Sequence, residues 1–341
     1  GQQHAPIVLD YTGTGALSVS DLTVKGSVGS TNLSTPGGGI VNVHDGTLDV
    51  TDSTFESNGS AQGYGGGIVN WGLGKVSVAG STFSDDPAHP VRGNGIQNVS
   101  DGPVTVTDST FAASGTTTPY GSIDARGPGS VTVIASTFFG TGAAGNGTIH
   151  IAIGHVRIAG SVLATGGSSC DISPQYNSVV VDGGYNISDD DSCGLDTASH
   201  SVSGSTRLVA TLNSLGDNGG PTETVAPMPD SPAVGMIPAS TTVTVGSSSV
   251  TLCPTTDQRG TPSAAGETCN AGSVQGTANP PCSPITFAAA FNSAPDGGTV
   301  TLNCDVTIGA GDNLPLAVTT NKAITLDLNG HTLKVTAPDG K

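Results

Sequence analysis

Polar and apolar residues alternate in short bursts along this chain. Leu48-Asp-Val50, Val76-Ser-Val78, Val104-Thr-Val106 and Val131-Thr-Val133 each place two aliphatic side chains on one side of an extended backbone and a polar one on the other. Period two over so few residues predicts short β-strands with one buried face. Three of these bursts follow the phrases Gly37-Gly-Gly-Ile-Val-Asn42, Gly65-Gly-Gly-Ile-Val-Asn70 and Gly93-Asn-Gly-Ile-Gln-Asn98, and precede Ser-Thr-Phe triplets at 53–55, 81–83 and 109–111.

The isoleucine column runs Ile40, Ile68, Ile96, Ile123 and Ile149, at spacings of 28, 28, 27 and 26. An aromatic column keeps step through Phe55, Phe83, Phe111 and Phe138, then Leu163. Self-similarity at such a period marks stacked units, none of which buries its apolar face alone. The expected fold is therefore all-β: a right-handed, single-stranded parallel β-helix with coils of about 25–28 residues, rising about 4.8 Å per coil.

If each column isoleucine points inward, so does the residue two later: Asn42, Asn70 and Asn98. An unpaired buried amide would cost a few kcal/mol, so this column predicts a hydrogen-bonded ladder inside the coil. Intervening positions face outward: Val41 and Val43, Val69 and Trp71, Gln97 and Val99, Asp124 and Arg126, His150 and Ala152. Around Val69 and Trp71 they form an apolar strip, expected either as a contact surface or beneath a covering segment. Farther along, Asp124, Arg126 and His150 come together as acid, cation and base. They are the candidates for catalysis, with His150 taking a proton, Asp124 orienting it and Arg126 holding a sugar carboxylate. A surface ion-pair cluster is the structural alternative.

Composition narrows the field. Ten Lys+Arg against 27 Asp+Glu give a net charge of −17, which repels nucleic acid and anionic lipid. No apolar stretch has the length of a membrane span, and with neither an initiating Met nor a signal peptide the chain reads as mature, processed or excised. The glycine clusters enter strands without a following helix, so no cofactor is expected, and no P-loop, Gly-x-Ser-x-Gly elbow or zincin helix occurs.

Six cysteines fall into three local pairs, Cys170 with Cys193, Cys253 with Cys269 and Cys282 with Cys304, each flanking one irregular segment. These are read as disulfides formed in an oxidising compartment, with buried free thiols as the alternative. Two acidic segments could offer oxygen ligands to Ca²⁺: Asp85-Asp-Pro-Ala-His-Pro90 with Arg92, and the loop carrying Asp189, Asp190 and Asp191. Neither matches the EF-hand or the Gly-Gly-x-Gly-x-Asp nonapeptide pattern, and solvated turns are the default. Asn32, Asn58, Asn98, Asn146 and Asn186 open Asn-x-Ser/Thr sequons.

Between Cys170 and Gln275 stand the phrases Gly183-Gly-Tyr-Asn-Ile-Ser188, Leu215-Gly-Asp-Asn-Gly-Gly-Pro-Thr222, Asp230-Ser-Pro-Ala233, Thr256-Asp-Gln-Arg-Gly-Thr261 and Cys269-Asn-Ala-Gly272. With the coils, they resemble secreted bacterial β-helix proteins with polymorphic-outer-membrane-protein-like repeats, of the choice-of-anchor domain type. The resemblance implies a secreted, surface-associated β-helix and supplies no catalytic set.

In that family a short capping helix and the early coils come first. Here the corresponding material comes last: Thr286-Phe-Ala-Ala-Ala-Phe291 as cap within a helix near 285–293, Ala294-Pro-Asp-Gly-Gly298 as turn, and Val300-Thr-Leu302, Ile324-Thr-Leu-Asp-Leu328 and Leu333-Lys-Val335 as coils. Lys341 would lead into Gly1, so the order reads as circularly permuted. Three regions are expected: coils over 1–204, further coils and a disulfide-bonded irregular segment over 205–278, and linker, cap and first coils over 279–341. A solenoid end that lacks its cap exposes unpaired strand edges. A linker of about ten residues reaches roughly 35 Å, against about 40 Å for the stack, so docking on the chain's own start is marginal unless 205–275 runs backwards.

These features lead to an expected function. The chain reads as an extracellular, cell-surface structural subunit that assembles head to tail through 279–341, with Phe287, Phe291, Leu326 and Leu328 in the contact. It would form a filament, tandem stalk or adhesive surface, with surface glycans as further partners. A truncated second β-helix domain is the alternative account of 282–341. A secreted carbohydrate-active β-helix enzyme, lyase or glycosidase, is the alternative function, weakened by the scarcity of Lys and Arg.

Overall fold

A computed structural model describes residues 7–9, 15–29, 38–43, 45–60, 66–84, 95–113, 121–140, 147–245, 248–263, 266–277, 291, 296–302, 306–308, 323–328 and 332–335. The chain divides into two compact units, one of Gly1–Gly216 and Gly220–Gly276, the other of Thr277–Lys341 with Asp217–Gly219.

The first unit is a parallel β-solenoid with three seven-stranded sheets. An isoleucine sheet stacks Ile7–Leu9, Ile40–Asn42, Ile68–Asn70, Ile96–Asn98, Ile123–Ala125, Ile149–Ile151 and Cys170–Ile172. Next comes a valine sheet, from Ala16–Ser20 through Thr47–Thr51, Val76–Ala79, Val104–Thr107, Val131–Ile134 and His155–Ala159 to Val179–Asp182. The phenylalanine sheet runs from Thr23–Lys25 through Thr54–Glu56, Thr82–Ser84, Thr110–Ala112, Thr137–Phe139 and Val162–Ala164 to Ile187–Ser188. Like residues stack on like: Ile40 pairs with Ile68, Val76 with Val104, and Phe83 with Phe111.

That register follows from burial. A one-residue slip would turn every inward side chain out, and Ile40, Leu48, Phe55, Ile68 and Phe138 are fully buried. Phe55, Phe83, Phe111 and Phe138 stack with centroids 4.7–4.8 Å apart and planes within 7°. The asparagine ladder is present: Asn42 Nδ2 donates to Asn70 Oδ1 at 3.1 Å, and Asn70 Nδ2 to Asn98 Oδ1 at 3.2 Å. Glycine precedes the isoleucines because the aromatic stack lies beneath it. A Cβ on Gly67 would come within 2.8 Å of the Phe83 ring.

A second ladder, of serines, has no counterpart among the sequence expectations. The backbone N–H groups of Ser53, Ser81, Ser109 and Ser136 each donate to the hydroxyl of the serine one coil on, at 3.2–3.3 Å. Each precedes its strand at a corner where Asp52, Gly80, Asp108, Ala135 and Gly160 hold left-handed φ between 44° and 59°. The corner lets the chain leave the valine sheet and enter the phenylalanine sheet in one residue.

Beyond Ser188 the chain adds one more parallel step, a bridge from Ile187 to Val202, and then leaves the coil to pack along the stack. Two of the three expected disulfides are formed, Cys170 to Cys193 and Cys253 to Cys269. The third expected pair falls on Cys282 and Cys304, and both of these residues lie outside the described residues. The described part of 205–276 forms a second apolar core, in which Leu208, Leu212, Val225, Ile237 and Leu252 cluster with Ile134 and Ala159 from the end of the valine sheet and Val162 and Ala164 of the phenylalanine sheet. The segment does run back along the stack: Thr222 donates to Gly80 O at 3.1 Å. It then doubles on itself, and Ser273 ends beside Thr137 and Thr110.

The second unit repeats the coil on a small scale. Thr299–Thr301 pairs in parallel with Thr325–Asp327, and Val306–Ile308 with Leu333–Val335. Val300, Leu302 and Val306 are buried, with Phe291, Ile324, Leu326 and Leu333 packed against them. Of the expected cap helix only Phe291 is described, and it is helical; Phe287 lies outside the described residues.

Candidate functional site

The outward face of the isoleucine sheet assembles the polar candidates in one column. Register places Gln97 beside Asp124, Asp124 beside His150, and His150 beside Asp171. Strand pairing thus brings together side chains 26 and 27 residues apart in sequence, and Arg126, two residues on, leans back over the same carboxylate. Three donors converge on Asp124: Gln97 Nε2 on Oδ2 at 2.7 Å, Arg126 Nε on Oδ2 at 2.7 Å, and His150 Nδ1 facing Oδ1 at 2.8 Å. His150 Nε2 stands 3.6 Å from Asp171 Oδ2.

Asp124 is fully buried. Burial alone would raise its carboxyl, but hydrogen bonds from His150, Arg126 and Gln97, with the Arg126 charge, hold it below the usual carboxylate range. The arrangement is chemically a carboxylate saturated with donors. It orients His150 as a base-orienting aspartate would, yet the other ring nitrogen faces a second carboxylate. Sequence reasoning names Asp124, Arg126 and His150. It leaves Asp171 outside the cluster and places Gln97 on this face without joining it to them.

The apolar strip divides into a buried and an open part. Val41 and Val69 point away from the helix axis but are fully buried, because outward direction on a sheet does not by itself leave a side chain in solvent. Trp71, 38% exposed, and Leu73, 59% exposed, remain open to water.

The acidic loop is built into the fold. Asp189 accepts from the backbone N–H groups of Thr165 and Gly166 at 3.1 and 2.7 Å, and Asp190 from that of Ser169 at 3.2 Å. Burial would raise the Asp190 carboxyl, but Ser192, Ser169 and Ser188 hold it low through hydrogen bonds. Among the described residues no group of three or more His, Cys, Asp or Glu side chains is arranged to hold a metal. The Asp85–Pro90 turn and Arg92 lie outside the described residues. Of the sequon asparagines, Asn58, Asn98 and Asn186 are buried and serve the ladders and corners; Asn58 Oδ1, for example, accepts from Ser27 N at 3.0 Å.

The Asp257-Gln258-Arg259 phrase, distinctive in sequence but without an assigned role, is a latch. Gln258 Nε2 donates to Thr82 Oγ1 at 2.9 Å while its Oε1 accepts from Thr110 at 2.6 Å, tying the irregular segment to two coils. Arg259 donates to Asp257 through Nε and a terminal nitrogen at 2.9 and 2.7 Å, and to Gln275 O at 2.6 Å. Close to this latch, Asp108 has a buried Oδ1 without a hydrogen-bond partner. Burial, then the nearby charge of Asp257, push its carboxyl up to about 7.

The outermost coils are less closed than the inner ones. Leu17, Val19 and Val24 are only partly buried, whereas Leu48, Val50 and Phe55, one coil on, are closed off. In the second unit the partly buried side chains are Phe291 and, in the later coil, Ile324, Leu326 and Leu333, with Leu328 43% exposed. One edge looks toward the N-terminal side of its stack and the other toward the C-terminal side.

Fold and side-chain ladders together define a disulfide-stapled parallel β-solenoid. No protein family, curated protein or solved structure matches this chain. Among the described residues no helix is long and apolar enough to cross a membrane.

Proposed function

We propose that this chain is an extracellular structural β-solenoid, a subunit that gains length by stacking its coils head to tail. The observation that carries this reading is the pair of incompletely buried coil edges, Leu17/Val19/Val24 and Leu326/Leu333 with exposed Leu328. Open strand edges recruit further strands, and complementary edges at different places on one chain generate an open, heterologous assembly rather than a closed dimer. The two disulfides are compatible with an oxidising, extracellular setting. The resemblance to secreted bacterial β-helix proteins supports the same placement at a cell surface. Electron microscopy of the purified chain tests the reading, with elongated particles of variable length as the expected result and uniform single-chain particles as the contrary one.

A second reading, a carbohydrate-active enzyme, draws on the 2.8 Å contact between His150 and Asp124 beside Arg126. Release of sugars from acidic or neutral polysaccharides, abolished in Arg126→Ala or His150→Ala, would replace the structural reading with this one. The saturation of Asp124 by three donors favours a fastening role.

A further inference from the structure

The two described disulfides sit in different surroundings. Cys170 and Cys193 are 4% and 3% exposed and belong to the main core of the solenoid, together with Leu195. Cys253 is only half-buried, and with Cys269 it lines a cleft of about 320 Å³ whose wall includes Val234, Pro262 and Thr268. A cleft of that size admits a small molecule. A reductant in water therefore reaches one bridge through an opening in the folded chain, and the other only after the core opens.

What the cleft bridge encloses is the latch. Cys253 and Cys269, 16 residues apart, close the loop that carries Asp257, Gln258 and Arg259. On one side of the bridge Leu252 N donates to Thr241 O at 2.9 Å. On the other, Cys269 and Ile237 exchange backbone hydrogen bonds at 2.8 and 2.9 Å, and Gly272 N reaches Gly160 O on the solenoid at 2.8 Å. Both flanks keep these attachments without the bridge, whereas the loop between them loses its closure. The carbonyl oxygens of Ile237 and Pro238 lie 3.9 and 3.7 Å from Cys253 Sγ, placed to accept from a thiol once the bridge opens.

We infer that the Cys253–Cys269 bridge is a redox catch: a small dithiol entering the cleft opens it, and the loop of Gln258 then loosens from Thr82 and Thr110 while the coils stay folded. In the first step a thiolate of the dithiol attacks Cys253 Sγ, the bond to Cys269 breaks, and Cys269 leaves as a thiolate that takes up a proton. In the second, the other thiolate of the dithiol attacks its own sulfur in the mixed disulfide, expels Cys253 and closes a cyclic disulfide. The two protons of the dithiol end on the two cysteines, which are reduced as the dithiol is oxidised. Chain entropy returns to the freed loop and to no coil, because no coil lies between the two cysteines.

The test treats the native chain with dithiothreitol, traps thiols with iodoacetamide at intervals and assigns them by peptide mass. Cys253 and Cys269 should be labelled at least about tenfold faster than Cys170 and Cys193. In the chain reduced at this pair, amide hydrogen exchange should quicken by about tenfold or more over 254–263 and hold steady in Ile68–Asn70 and Ile96–Asn98. Equal labelling of the two bridges, or earlier labelling of Cys170 and Cys193, would overturn the inference. Selective reduction that leaves exchange over 254–263 unchanged would overturn it too. A chain carrying Cys253→Ala and Cys269→Ala supplies the second arm: exchange there should be quick from the start and indifferent to dithiothreitol. A response to dithiothreitol would place the catch elsewhere, and failure of this variant to fold would contradict the claim that the coils outlast the bridge.

Discussion

His150 Nδ1 stands 2.8 Å from Asp124 Oδ1 across a coil boundary, joining two residues that are register partners in adjacent strands of one sheet. Asp124 also collects Gln97 and Arg126, so its removal leaves three polar groups without their acceptor. Asp124→Ala is expected to destabilise the fold by about 3 kcal/mol, as when one member of a buried charge pair is removed. Denaturant unfolding followed by circular dichroism measures this.

The same carboxylate gives a pH signature. Its folded-state pKa is depressed, so its contribution to stability is present above the unfolded value near 4 and is lost as pH falls through the folded value. Acid titration of stability should show a component below about pH 4 that is missing in Asp124→Asn.

Asp108 carries the opposite sign. Its pKa is raised from 3.8 to about 7, so the native state holds a proton that the unfolded chain releases, and stability falls as pH rises across that window. Asp108→Asn keeps a residue that tolerates the left-handed corner and removes the charge. It should raise the melting temperature at pH 8 and leave it nearly unchanged at pH 4. An equal gain at both values would place the effect elsewhere.

Gln258 holds the irregular segment to Thr82 and Thr110. Gln258→Ala should cost about 1–3 kcal/mol by leaving buried hydroxyls underpaired. Its mark is local: amide hydrogen exchange should quicken in 205–276 more than in the isoleucine strands. Uniform acceleration over the whole chain would contradict the latch.

The coils are legible in the sequence because a solenoid repeats its contacts at a fixed offset. Ile40, Phe55 and Asn42 each meet a copy of themselves one coil away, and periodicity alone exposes that. The serine ladder is equally periodic, but its bond runs from backbone to side chain, and serine fits solvated turns as readily as buried corners. Gln258 and Thr82 lie 176 residues apart, and no period links them. Val69 shows a different limit: alternation gives the direction of a side chain, while its cover depends on what packs above it.

Light scattering of the purified chain across a concentration series tests end-to-end growth through coil edges. The predicted result is a mean mass that climbs with concentration without settling at a dimer, and that falls to one chain in Leu326→Asp/Leu333→Asp. A mass that stays at one chain throughout, unchanged by those substitutions, would contradict it.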